Sequence, residues 1–303
     1  MRKASRRDFF ITSLGLAAIP AFTTLPWLTP AVGQSTPQKA VDIITTTVQT
    51  NGLNFKVRES GGKDPALVFL HYWGGSGRTW DMAVNQLSEL HRCVAPDLRG
   101  WGGSDRSIED YSLNAQADDV GAIIQSLGLT QYILVGHSSG AKIAQIFGAR
   151  KPVGLKGLVL VAPSPPTPSG APQEQKDGML KSYQSAEGVK MALPHLTARQ
   201  LSPELQQQVV EDSVNGTPAA KRAWPQEGMA LDISNLVGNI DVPTTIIVGD
   251  ADKVEPEPVL RREFGSRIKN AEFVILPGVG HLAPLEAPNE LAAAITKAVS
   301  RSL

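Results

Sequence analysis

The chain has 303 residues, with 29 Lys and Arg balanced by 29 Asp and Glu, five His and one Cys. Zero formal charge offers no field to gather nucleic acid, and one Cys makes neither an internal disulfide nor a zinc cluster. A composition of 42% hydrophobic and 19% charged residues excludes general disorder and suits one large α/β domain or two small ones.

The charge balance hides an asymmetry. Arg2, Lys3, Arg6 and Arg7 face only Asp8, and an uncharged stretch runs from Phe9 to Ser35. A basic segment, an apolar segment and the small residues of Ala31-Val32-Gly33 predict a secretory signal over 1–33, cleaved after Gly33. Ser5-Arg6-Arg7-Asp8-Phe9-Phe10 resembles a twin-arginine signal, which implies the twin-arginine export machinery as a partner and a periplasmic or extracellular destination. The alternative is an uncleaved anchor. Pro20, Pro26 and Pro30 interrupt the apolar run, so no stable membrane span is expected after cleavage.

Beyond the signal, Val41–Thr50 and Leu53–Glu59 read as strands joined at Asn51-Gly52, a pair suited to the positive φ angles of a tight hairpin. Ala66–Leu70 is a short continuous apolar run, as in a strand buried on both faces. Trp80–Leu90 has helical spacing, and Cys93–Pro96 is a short strand. Leu113–Leu127 is a helix, capped by Ser112 and ended by Gly128. Tyr132–Val135, Gly157–Val161, Thr244–Val248 and Phe273–Leu276 are further strands; Ser138–Ala149 and Asn289 to about Val299 are helices. This alternation predicts a mostly parallel α/β sheet with helices on both faces.

One stretch breaks the rhythm. Residues 163–233 contain no convincing strand, open with the Pro-rich run Pro163–Pro168, and continue in short helical patterns. They are expected to form an inserted helical cap, with 34–162 and 234–303 making the core. Tyr72 and the cap residues Met179, Tyr183 and Trp224 are possible pocket residues; Met191, Leu193 and Leu196 are further cap apolars. Lys181, Lys190 and Arg199 are expected on solvated faces.

Ile133-Leu134-Val135 leads into Gly136-His137-Ser138-Ser139-Gly140, a G-x-S-x-G motif between a strand and a helix. The turn is too tight for large neighbours, and its strain lifts the Ser138 hydroxyl above the sheet edge. It also aims the Ser139 N–H into the same space. A Ser hydroxyl needs a base. His281, in the loop after the last strand, is placed at the same sheet edge. His137 is expected to point away from Ser138, His71 to bond loop backbone, and His91 and His195 to lie on the surface or cap. The base needs a carboxylate. Asp252, deeper in Gly249-Asp250-Ala251-Asp252, is preferred to Asp250, while Glu255 and Glu257 could be solvated charges. Cys93 is expected to be buried and inert.

The order Ser138, Asp252, His281 resembles that of α/β-hydrolase fold enzymes. Leu70-His71-Tyr72-Trp73-Gly74-Gly75-Ser76 resembles that family's oxyanion loop, Asp97–Asp105 its Asp-x-Arg-Gly-x-Gly-x-Ser segment, and Gly280-His281 with Glu286 and Pro288 its histidine loop. The resemblance spans nearly all of the chain after the signal and is closest to the esterase, lactonase and cofactor-free haloperoxidase-like branch. It implies Trp73 as the second oxyanion N–H. Tyr72 departs from the family's usual Gly, and either crowds the acyl site or packs into the fold.

The expected activity is hydrolysis of a small or medium carboxylic ester or lactone through an acyl-enzyme. Perhydrolysis and carbon–carbon hydrolysis are alternatives on the same triad, and a non-catalytic ligand receptor is the alternative of another class. Epoxide hydrolase and dehalogenase chemistry is disfavoured, because the resemblance implies a carboxylate nucleophile there. Nothing matches a phosphate loop, a dinucleotide fingerprint or a metal-binding helix, so no cofactor and no metal is expected.

Overall fold

Asn51 and Gly52 take φ angles of 52° and 73°, the left-handed pair that closes a hairpin tightly. They join β1 (Ile44–Thr50) to β2 (Leu53–Ser60) in antiparallel register. The structure is a computed structural model that describes residues 41–106, 109–269 and 271–303. The expected export signal and its cleavage site lie outside the described residues.

Six more strands follow: β3 (Ala66–Leu70), β4 (Cys93–Pro96), β5 (Tyr132–His137), β6 (Leu155–Val161), β7 (Thr244–Gly249) and β8 (Ala271–Leu276). They form one sheet in the order β1-β2-β4-β3-β5-β6-β7-β8. The first two pairings are antiparallel and the rest parallel. Every residue of β3, β4, β5 and β7 is buried. That is why these segments read as unbroken apolar runs.

The helices divide between the two faces. A 3-10 turn (Gly77–Trp80) leads into α1 (Asp81–Leu87), followed by α2 (Leu113–Ser126) and α3 (Ser139–Ala149). Residues 163–243 contain no strand. They hold α4 (Gln173–Ser182), α5 (Ala186–Leu196), α6 (Pro203–Asn215) and α7 (Pro218–Ala223). Then come α8 (Glu257–Phe264), α9 (Ala283–Glu286) and α10 (Pro288–Arg301). Alternation along the strands sends Val68, Leu70 and Leu134 into a core shared with α2, α3 and α8. Leu67, Phe69, Ile133 and Val135 face the opposite core, shared with α1 and α10. Among the described residues no helix is long and apolar enough to cross a membrane.

The expected elements differ from these in a few places. Strand β5 continues through Gly136-His137, and α3 begins at Ser139, so Ser138 belongs to neither element. Helix α8 is eight residues long and carries Pro258 in its first turn, leaving Leu260 and Phe264 as its buried anchors. That is too little periodicity to stand out in a Pro-rich stretch. His91 is buried rather than at the surface, because its Nδ1 lies 3.0 Å from the Pro65 carbonyl.

Candidate active site

Ser138 has φ 54° and ψ −114°, a conformation sparsely populated for a residue with a side chain. Its neighbours explain how the chain tolerates it. A Cβ on Gly136 would lie 2.6 Å from the Gly140 carbonyl, and one on Gly140 would lie 2.5 Å from the His71 carbonyl. Only hydrogen fits at either position, which ties the two glycines of the motif to close backbone packing.

Ser138, His281 and Asp252 come together in one hydrogen-bonded chain. The Ser138 Oγ is 2.9 Å from His281 Nε2, and His281 Nδ1 is 2.9 Å from Asp252 Oδ2. The other oxygen of Asp252 accepts from the N–H groups of Val254 and Glu255. Burial pushes the Asp252 carboxyl up, but the His281 charge and these donors outweigh it and hold it below its ordinary value. Burial works against the imidazolium of His281 too, and Asp252 overcomes it, so His281 sits above its ordinary value. Asp250 takes no part in this chain. It accepts from the Gly278 N–H at 2.6 Å, pinning the turn before the histidine loop.

His281 is held from three sides. Its N–H and that of Leu282 both donate to the Leu196 carbonyl at the end of α5. Its own carbonyl lies 2.7 Å from His137 Nε2. His137 is fully buried on the α1/α10 side of the sheet, away from Ser138, against the rings of Trp80 and Tyr72. Burial and the neighbouring His281 push its pKa down to about 3, so it is a neutral N–H donor. The third support is Glu286. Its carboxylate accepts from the N–H groups of Ala198, Arg199, Gly280 and Leu282, at 2.7, 2.8, 3.0 and 3.1 Å.

Of the expected oxyanion donors, Ser139 follows Ser138 in the chain and Trp73 borders the same cavity as Ser138. Ser139 is the first residue of α3, where N–H groups have no intrahelical acceptor. Trp73 sits in a turn closed by the Gly75 N–H donating to the Tyr72 carbonyl. The Trp73 ring stacks on Tyr183, with centroids 3.9 Å apart, and its Nε1 donates to the Lys221 carbonyl. His71 contacts loop backbone through both ring nitrogens: Nδ1 is 2.8 Å from the Tyr72 carbonyl, and Nε2 accepts from the Leu98 N–H.

A cavity of about 670 Å³ opens over Ser138 and His281, bordered by Tyr72, Trp73, Met179, Tyr183, Trp224 and Glu255 among others. That is room for a drug-sized molecule. Tyr72 borders it while its ring packs into a small core with Val189, Leu193, Val209 and Val210. Other residues singled out in the sequence lie as follows. Met191 is 82% exposed, and Leu193 is packed away in that small core, so neither lines the site. Arg199 is partly exposed, and its guanidinium is tied down: it donates to the carbonyls of Pro277 and Gly278 and pairs with Glu290. Glu255 is half-buried and borders the cavity. Cys93 is buried, and its thiol is pushed up to about 12.

Among the described residues there is no cluster of three metal-ligating side chains. What the sequence did not disclose is the support around His281. Glu286 entered only as part of a resemblance, and the contacts of His137 and Leu196 join residues far apart in the chain.

Comparison with known proteins identifies the family. A sequence family described as "Alpha/beta hydrolase family" matches residues 67–294. The AB hydrolase superfamily protein YisY of Bacillus subtilis is 30% identical over 238 residues, covering 74% of this chain and 87% of that one. The bifunctional esterase/perhydrolase DCH of Acinetobacter calcoaceticus is 26% identical over 252 residues, covering 77% and 91%. Among solved structures, an esterase from Exiguobacterium antarcticum superimposes with a TM-score of 0.78 at 23% identity. It covers 85% of this chain and all of its own, a likeness of fold.

Proposed function

The chain belongs to the alpha/beta hydrolase family and is an enzyme of the hydrolase class; from that premise we propose that it is a serine hydrolase of small or medium carboxylic esters or lactones. Ser138 Oγ attacks the carbonyl carbon while His281 Nε2 takes its proton. Asp252 holds the imidazole with Nε2 free to accept and stabilises the imidazolium. The N–H groups of Trp73 and Ser139 receive the oxyanion, each worth about 3 kcal/mol in comparable sites. His281 then protonates the leaving oxygen. Water, deprotonated by the same base, releases the acid and restores Ser138. Alcohols leave more readily than amines, so esters and lactones are favoured over amides.

The observation that carries this reading is the pair of 2.9 Å contacts joining Ser138, His281 and Asp252 at the floor of the cavity. Hydrolysis of p-nitrophenyl acetate and labelling by a fluorophosphonate test it. Both should vanish in Ser138→Ala, and labelling that survives that change would remove Ser138 as nucleophile. A non-catalytic receptor would show neither reaction in the wild type.

Perhydrolysis is a second reading, favoured by the similarity to a protein described as a bifunctional esterase/perhydrolase. Hydrogen peroxide would replace water in the second step, giving a peracid and free Ser138. Peracid formation from acetate and peroxide, lost in Ser138→Ala, is the expected result. Export by the twin-arginine route belongs to the same proposal and is supported by Arg6-Arg7 and the apolar stretch behind them. Changing both to Lys should leave the protein inside the cell.

A further inference from the structure

Glu255 stands out among the charged groups that the triad does not use. Its N–H donates to Asp252 Oδ1 at 3.0 Å, which fixes the residue in the turn that carries the acid. Its side chain borders the same cavity as Ser138 and His281. Among the described residues, no donor or cation pairs with its carboxyl.

The neighbouring charges are engaged elsewhere. His281 and Asp252 pair with each other. Lys142, fully buried on α3, reaches the Thr167 carbonyl at 3.5 Å. Lys253 donates to the Pro194 carbonyl. Glu263 accepts from Thr167 and pairs with Arg262 and Arg267. The carboxyl is half-buried in the cavity wall beside the Asp252 charge, and both features favour its protonated form. Burial, with the Asp252 charge added, pushes Glu255 up to about 8 against the opposing pull of His281 and Lys142. A protonated carboxyl carries one O–H donor, which an ionised one lacks.

We propose that Glu255 is a substrate subsite: its O–H donates to a second, uncharged oxygen on the ester or lactone, so that the enzyme selects oxygenated substrates over their hydrocarbon counterparts. This rests on the serine hydrolase reading above. An unmet donor facing a bound hydrocarbon chain loses its hydrogen bonds to water without replacement, and a matching acceptor removes that penalty. The oxygen could lie in the alcohol or in the acyl portion, and the substrates distinguish the two.

The test uses matched pairs of equal chain length on the purified enzyme. For the alcohol side the pair is 2-methoxyethyl acetate and butyl acetate; for the acyl side it is ethyl 3-methoxypropanoate and ethyl pentanoate. At pH 6.5 one pair should show kcat/KM favouring the ether by roughly tenfold, the scale of one buried hydrogen bond. Glu255→Gln keeps an N–H donor and should keep the preference. Glu255→Leu should bring the ratio to about one, with a thermal melt showing that the variant is folded. In the wild type the preference should fall as pH rises through about 8, and in Glu255→Gln it should stay level. Equal rates within both wild-type pairs, or a preference that survives Glu255→Leu, would overturn the subsite while leaving the esterase reading intact. A preference that grows with pH and favours an ammonium-bearing ester would replace it with a cation site. Hydrolysis of none of the four esters would overturn the esterase reading and the subsite with it.

Discussion

The Nε2–H of His137 donates to the main-chain oxygen of His281 at 2.7 Å, joining the last residue of β5, just before Ser138, to the loop that carries His281. The two rings lie 5.3 Å apart. Ser138 and His281 are therefore set against each other by the residue just before Ser138. Replacing His137 by Phe keeps a ring in the buried space and removes the donor. The unmet carbonyl should cost about 1–3 kcal/mol of stability, and kcat should fall roughly tenfold while KM changes little, because the loop that aims His281 loses a support. Steady-state kinetics and a urea melt check both.

The same residue sets a pH dependence. His137 is neutral in the fold, with a value of about 3 against an ordinary 6.5, and burial lowers His71 in the same direction. Between those limits the unfolded chain binds protons that the fold refuses, so stability falls as pH drops from 6.5, by up to about 1.4 kcal/mol per pH unit for each such group. His281 runs the other way: its contribution is present at low pH and fades as pH rises above 6.5 through its raised folded value. His137→Phe removes one acid-sensitive group. Its stability deficit against wild type should therefore shrink between pH 7 and pH 4.5, read as urea midpoints.

Two aspartates of one loop should respond in opposite ways. Asp252→Asn leaves His281 without the charge that fixes its tautomer, and kcat should fall by about 10³ to 10⁴. Asp250→Asn changes only an acceptor to the Gly278 N–H, on an exposed side chain, and should leave kcat within about threefold. Rates on p-nitrophenyl acetate separate the two.

Glu286 should matter to both stability and rate. Its carboxylate accepts from four backbone N–H groups, two from the loop after α5 and two from the histidine loop. Glu286→Gln puts an amide NH₂ where one of those oxygens accepts. A loss of about 2–4 kcal/mol is expected, since hydrogen bonds to a charged group are worth about 1.5–3 kcal/mol each and do not add fully. A thermal melt checks the loss, and kcat should drop with it.

The meeting of Ser138, His281 and Asp252 was readable because each lies in the segment that follows a strand, and strand ends in a parallel sheet share an edge. Asp252 was preferred to Asp250 as the residue deeper in their shared loop, and it is Asp252 that lies 2.9 Å from His281 Nδ1. Glu255 was not readable in this way. In Glu255-Pro256-Glu257-Pro258 it looks like one solvated charge among several, and only the cavity wall, built from segments far along the chain, distinguishes it. The burial of His91 depends on Pro65, and the bond of His137 on His281; neither partner is within reach of local pattern. The acceptors of the partly exposed Arg199 are carbonyls of another loop, equally beyond local pattern. Local sequence discloses what an element is, and much less about what its side chains meet.

The Leu196 carbonyl, which receives the N–H groups of both His281 and Leu282, bears on how freely this protein's parts can be exchanged. A chimaera that took a foreign helical segment between residues 163 and 233 would import a new substrate cover and at the same time delete a fixture of the general base. Transplants should succeed when the incoming segment brings a carbonyl to that spot and two free N–H groups to Glu286. The helical segment and the His281 loop beneath it are therefore one hydrogen-bonded unit rather than two interchangeable modules.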